Sequence, residues 1–201
     1  MELKDKKEEK YTRDLIKKLN ECFHSRKSKY FAKSKCYLKY QNIAEPKEKI
    51  CSSKQKDYYE LDILIFEKDK KCKKKCDMNV KCDCNGEPLV GIEVKAEKFI
   101  THDVIVYSDK AKRHKILYPH LRYGFIVINP EKNVKLTYKY FAHCDNFDFA
   151  YLYNEEDFQT FFEKIILEEI NEAINKKNRL YKRNEVKNIK GYRNKIDIIN
   201  V

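Results

Sequence analysis

Three ionisable residues sit inside runs that otherwise read as apolar strands. Asp62 interrupts Glu60-Leu61-Asp62-Ile63-Leu64-Ile65-Phe66. Glu93 and Lys95 interrupt Leu89-Val90-Gly91-Ile92-Glu93-Val94-Lys95-Ala96. A charge in such a run is costly to bury unless it is paired or binds a metal. Residues two apart in a strand share a face, so Glu93 projects with Lys95, and Glu60 with Asp62. If the two strands pair, Asp62 meets Glu93 at one edge of the sheet. Two carboxylates and the Val94 carbonyl then offer hard oxygen ligands to Mg²⁺ or Mn²⁺. Lys95 stands beside them, able to orient or deprotonate an attacking water or to stabilise a pentavalent transition state. That is the chemistry of phosphodiester hydrolysis. The competing reading is a surface hairpin with a Glu–Lys pair facing solvent.

A second cluster lies between the two runs. Cys72, Cys76, Cys82 and Cys84 fall within 13 residues, interleaved with Lys70, Lys71, Lys73, Lys74, Lys75 and Lys81. Four thiolates this close are able to wrap one structural, tetrahedral Zn²⁺, although the spacing is not a pair of C-x2-C knuckles. A loop with free thiols, or disulfides, are the alternatives. Cys22, Cys36, Cys51 and Cys144 are scattered and read as core or incidental.

These residues need a scaffold. Apolar spacing predicts a helix over about 8–33, with Tyr11, Leu15, Leu19, Cys22 and Phe23 on one face. The acidic strands run over 58–66 and 89–96, separated by a polar insertion at 67–87. A short strand is expected at 104–107, then a helix over 109–118 capped by Ser108 and ended by Pro119. Arg122–Asn129 reads as a buried strand, Lys135–Phe141 as a half-exposed one, and Phe147–Tyr153 as another. Residues 155–181 carry the strongest helical pattern, through Phe158, Phe161, Phe162, Ile165, Leu167, Ile170, Ala173 and Ile174. The expected fold is α/β, with a mixed central sheet flanked by helices.

Asp62 followed by Glu93-Val94-Lys95, in this strand–strand–helix–strand setting, resembles the PD-(D/E)xK nuclease superfamily. Its members include restriction endonucleases, archaeal Holliday-junction resolvases and exonuclease domains. The resemblance covers roughly 58–129. It implies a restriction-endonuclease-like core and a Mg²⁺-dependent DNA phosphodiesterase, with Asp62 and Glu93 as metal ligands and Lys95 as the catalytic lysine. Leu61 stands where the family name has Pro, and the Cys-rich insertion lengthens the gap between the acids. Some members carry Gln and Tyr four apart on the next helix. Here His114 and Tyr118 have that spacing and only the Tyr matches. Some also add an acid from the first helix. Glu8 lies roughly in phase with Leu15 and Leu19, whereas Glu21 does not. Glu60 is the better extra candidate because it shares a face with Asp62, and His114 is a secondary one.

The chain has 201 residues and a net charge of +12. A basic surface favours polyanions through counterion release, whereas Lys and Glu enrichment of the thermophile kind is the alternative. Lys110, Lys112, Arg113 and Lys115 are expected to steer DNA from the helix after the triplet, or to form a solvated face. From Lys176 to Val201 there are nine basic and two acidic residues, a tail for the DNA backbone or an exposed helix end. No run approaches the roughly 20 apolar residues of a membrane span. No signal-peptide core precedes the first helix, so a cytoplasmic location is expected. The expectation is one nuclease domain over 1–201, with a zinc-binding insertion at 67–87 and a basic segment at 176–201. It would act as a DNA endonuclease of restriction, defence or repair type, as a homodimer or beside a partner subunit. The competing functions are a non-catalytic zinc-containing nucleic-acid-binding protein and a Holliday-junction resolvase-like repair nuclease.

Overall fold

The computed structural model describes residues 2–38, 60–68 and 86–181. A five-stranded sheet runs in the order β1-β2-β3-β4-β5: Tyr30–Tyr37, Glu60–Lys68, Gly86–Ala96, Arg122–Ile128 and Phe149–Tyr153. β1–β2 and β2–β3 pair antiparallel, and β3–β4 and β4–β5 pair parallel. The protein is therefore α/β with a mixed sheet flanked by helices.

One sheet face buries α1 (Glu2–Ser25) and the C-terminal helical run. Leu15, Ile16, Leu19 and Phe23 of α1 meet Ile63, Ile65, Ile92, Val94 and Ile126. The same core takes Phe161, Phe162, Ile166 and Ile170. They come from α4 (Phe158–Phe161), a π-helical turn (Phe162–Ile166) and α5 (Leu167–Tyr181). The other face packs against α2 (Thr101–Leu117), through Leu61, Leu64, Ala111 and Tyr123, and through Val104, Phe125 and Val127.

Three sequence expectations need correction. The first helix ends at Ser25, and residues up to Lys33 are not part of it; β1 begins at Tyr30. Lys27 takes a left-handed φ of 51° at the break. A strand was hard to see there because β1 is an edge strand with Lys33, Ser34 and Lys35 in its middle, and edges carry charge. Asn20 fixes β1 to α1, its side chain donating to Ala32 O at 3.0 Å and accepting from Ala32 N at 2.8 Å. Second, 104–107 is not a strand: α2 starts at Thr101 and absorbs it. Ser108 caps nothing. It is buried mid-helix, where its Oγ accepts from Asn146 N and Nδ2. The first turn is held instead by Asp103, whose Oδ2 accepts from Ile100 N at 2.9 Å. Third, 135–141 is a loop and a four-residue helix, α3 (Tyr138–Phe141), not a strand. Tyr140 is buried there against Phe99, Phe125 and Phe147. The insertion that carries Cys72, Cys76, Cys82 and Cys84, and the basic tail beyond Tyr181, lie outside the described residues.

Candidate active site

The β2–β3 ladder pairs Lys68 with Gly86 at one end and Ile63 with Ile92 at the other. One step further on, the strands part. There the Asp62 side chain replaces the backbone partner, and its Oδ2 accepts from Val94 N at 2.8 Å. A strand residue presents its N–H and C=O on the same side, so the Val94 carbonyl faces the same opening. β3 continues past that opening in register with β4, with Glu93 beside Phe125 and Lys95 beside Val127. The result is a sheet split at one end, with Asp62, Glu93 and Lys95 around the split.

Glu93 is fully buried, and both of its oxygens are used. Oε1 accepts from the Tyr123 hydroxyl at 2.5 Å, and Oε2 lies 2.7 Å from Lys110 Nζ. It is also in hydrogen-bond contact with Asp62. Burial, and after it the negative charge of Asp62, push the Glu93 carboxyl up to about 8. Burial raises Asp62 too, against the pull of Val94 N–H, Lys110 and Lys95. At neutral pH the two acids therefore share a proton, as like charges in a poorly solvated place must.

Lys95 projects at the mouth of the split. Its Nζ lies 3.6 Å from Glu8 Oε2, 3.9 Å from Asp103 Oδ1 and 5.3 Å from the centre of the Tyr107 ring. Burial works against its charge, but the Tyr107 hydroxyl, Glu8 and Asp103 outweigh it and hold Lys95 above the usual lysine range. Lys95 is accordingly a fixed cation. Burial pushes Glu8 up, against the attraction of Lys95.

Asp62 also opens onto a cleft of about 280 Å³, walled by Glu8, Glu9, Thr12 and Arg13 of α1 and by Ser34 and Lys35 of β1. Lys35 stands opposite Asp62, since its neighbours Ser34 and Cys36 pair with Ile63 and Leu61. It takes a left-handed φ of 51°, uncommon for a residue other than Gly.

The structure brings Asp62 into contact with Glu93 and with Val94 N–H, and places Lys95 beside them, against Glu8, Asp103 and Tyr107. Glu60 is two residues from Asp62 along β2, where its charge acts on Lys35. His114 does not face a DNA-binding surface. It is 2% exposed, stacks on Tyr123 and reaches the Tyr123 hydroxyl through Nδ1 at 3.1 Å. Tyr123 gives its proton to Glu93, so His114 carries its own on Nδ1 and donates it to Tyr123. Of the predicted DNA-steering residues, Lys112 and Arg113 are exposed, Lys115 contacts Asp148 at 2.7 Å, and Lys110 turns inward.

Sequence reasoning left out Tyr107, Tyr123 and Asp103. Tyr107 and Lys110 are three apart on α2 and so share a face. That spacing was the one available signal for Tyr107. Tyr123 gave its own, a hydroxyl inside a buried strand that must find a partner. Gly91 makes its approach feasible: a Cβ there would stand 3.1 Å from the Tyr123 ring and 3.1 Å from Leu61.

No protein-family model, curated protein or solved structure matches the chain. Among the described residues, no group of three or more His, Cys, Asp and Glu side chains is arranged to hold a metal. No described helix is long and apolar enough to cross a membrane.

Proposed function

We infer that the protein is a Mg²⁺-dependent DNA endonuclease built on a restriction-endonuclease-like core. One observation carries this reading: Asp62, Glu93 and Lys95 converge where the β2–β3 ladder opens. An antiparallel strand pair, followed by a helix and a strand parallel to β3, supports the same arrangement. The net charge of +12 favours a polyanionic substrate.

The donor set fits a hard divalent cation. Asp62 and Glu93 are held in contact at the cost of a shared proton, which gives two carboxylates of the preferred oxygen type, and the Val94 carbonyl, on the same side of β3 as its N–H, would be the third donor. When bound there, Mg²⁺ or Mn²⁺ supplies charge neutralisation and a bound water of lowered pKa. The protein's own groups do the rest. Asp62 closes the end of the ladder and faces the cleft. Glu93 is oriented by Tyr123, which is oriented in turn by His114. Lys95, kept cationic by Glu8 and Asp103, acts by attracting the phosphate and stabilising its growing negative charge, not by accepting a proton. A structural Zn²⁺ on Cys72, Cys76, Cys82 and Cys84, and a homodimer or a partner subunit, belong to the same proposal.

Nicking of supercoiled plasmid with Mg²⁺, against a chelator control, tests it. Wild type cuts, while Glu93→Ala and Lys95→Ala lose at least about a hundredfold in rate, the scale for removing a preorganised charge at a reacting centre. If both variants cut as well as wild type, the assignment is wrong. Single-stranded RNA run in parallel separates DNA from RNA as substrate.

A further inference from the structure

Lys110 is in the wrong place for a residue that grips DNA. Its Nζ lies 2.7 Å from Glu93 Oε2, and its side chain is only 13% exposed. Glu93 is fully buried, and its other oxygen is taken by Tyr123. Two ammonium groups approach the Tyr107 ring, Lys110 at 5.2 Å and Lys95 at 5.3 Å from its centre. Lys95 is braced by the acids Glu8 and Asp103, whereas Lys110 is braced by the site itself.

A buried pair of carboxyl groups needs a counter-charge. Lys110 provides one: it sits on Glu93 Oε2 and its charge also acts on Asp62, so it faces both carboxyl groups that a cation would use. A divalent cation there would repel the ammonium and compete for the same lone pairs. A lysine is suited to yield: its charge rides on a flexible four-carbon stem, and it can leave by rotation while the helix stays in place. Arg113, three residues on and so Lys110's neighbour on the surface of α2, is exposed to solvent.

We propose that Lys110 is the resident counter-ion of this site: it neutralises Glu93 when no divalent cation is bound, and a divalent cation displaces it outward, where it contacts substrate phosphate. This rests on the reading of the site as a metal-dependent phosphodiesterase. It adds that cation binding and substrate grip are coupled through one side chain.

Two measurements test it. The first is Mn²⁺ affinity, followed by electron paramagnetic resonance, for wild type, Lys110→Met and Lys110→Gln. Removal of the competing charge tightens Mn²⁺ binding by at least about tenfold in both variants. The second uses wild type alone and so does not depend on any variant folding. Reductive methylation is read residue by residue by mass spectrometry, with and without saturating Mn²⁺. Lys110 is slow to react without the cation and speeds up with it, while Lys95 changes little. Unchanged Mn²⁺ affinity in folded variants, or a Lys110 methylation rate indifferent to Mn²⁺, overturns the proposal. If wild type cuts plasmid with Mn²⁺ yet shows either of those results, only the counter-ion role falls. If neither wild type nor the variants bind Mn²⁺ and no cutting occurs, the metal-dependent reading falls with it.

Discussion

Glu93 gives the sharpest stability test. Its carboxyl has an ordinary value of 4.5 and is pushed up to about 8 in the folded protein, first by burial and then by Asp62. The folded state therefore binds a proton more tightly than the unfolded chain. Below about pH 4.5 both states are protonated and the contribution is fully present. Between pH 4.5 and 8 the unfolded chain gives up its proton and the folded protein does not, so stability falls as pH rises. Above about pH 8 the loss is complete. With about 1.4 kcal/mol per pKa unit, the loss across the window is on the order of 5 kcal/mol. Glu93→Gln has no proton to lose, can still donate to Asp62 and removes that slope. Urea unfolding of both proteins at a series of pH values, in a chelator, measures the difference. Wild type weakens steadily from pH 5 to 8 relative to the variant, and the variant is the more stable of the two at pH 8. Mg²⁺ at pH 8 restores wild type by mass action and leaves the variant largely unmoved. Two curves that stay parallel from pH 5 to 8 would refute the shared-proton account of Asp62 and Glu93.

Three more outcomes follow from the same contacts. Tyr123→Phe removes a hydrogen bond that favours the Glu93 carboxylate, so the pH window of wild type moves upward, and stability at neutral pH changes by about 1–3 kcal/mol in the same urea titration. Gly91→Val pushes on the Tyr123 ring and on Leu61, and plasmid nicking falls further than the modest drop in melting temperature would explain. Asn20→Ala strands Ala32 N–H and C=O between α1 and β1. It destabilises by about 2–3 kcal/mol, and hydrogen exchange of β1 amides accelerates before that of β3 amides.

The placement of Asp62 beside Glu93 was more legible in the sequence than the scaffold around it. A carboxylate inside Leu-Asp-Ile-Leu-Ile has few explanations, which is why Asp62, Glu93 and Lys95 were readable from local pattern. β2, β3 and β4 were equally plain, because each is nearly continuous in apolar residues, as buried strands are. β1 was hidden because Lys33 and Lys35 carry no alternation, and what makes it a strand is its pairing with β2 and the grip of Asn20, both of them remote in sequence. The start of α2 was missed because Val104, Ile105 and Val106 are β-branched and favour strands locally, while tertiary packing of Val104 decides for helix. Lys110 was read as a surface charge because nothing in Asp109-Lys110-Ala111-Lys112-Arg113 marks the one lysine that turns inward. Only the helix phase relative to β3 sets it apart, and that phase depends on where α2 begins.

If the site is the phosphodiesterase centre proposed, Asp62 does two separable jobs. It offers a carboxylate to the cleft, and it also satisfies the Val94 N–H where the ladder ends. A lineage that abandoned catalysis would still be under pressure to keep an acceptor here, and Asn would serve, whereas Ala would leave a backbone donor stranded at the split. Glu93 has no such second duty to the backbone. Once catalysis ceased to matter it would be free to drift to an apolar residue along with Lys110, since a buried ion pair is often replaced by hydrophobic side chains at no loss. The pair Glu93–Lys110, not Asp62, is therefore the part of this site whose survival in descendants would report that the chemistry is still in use.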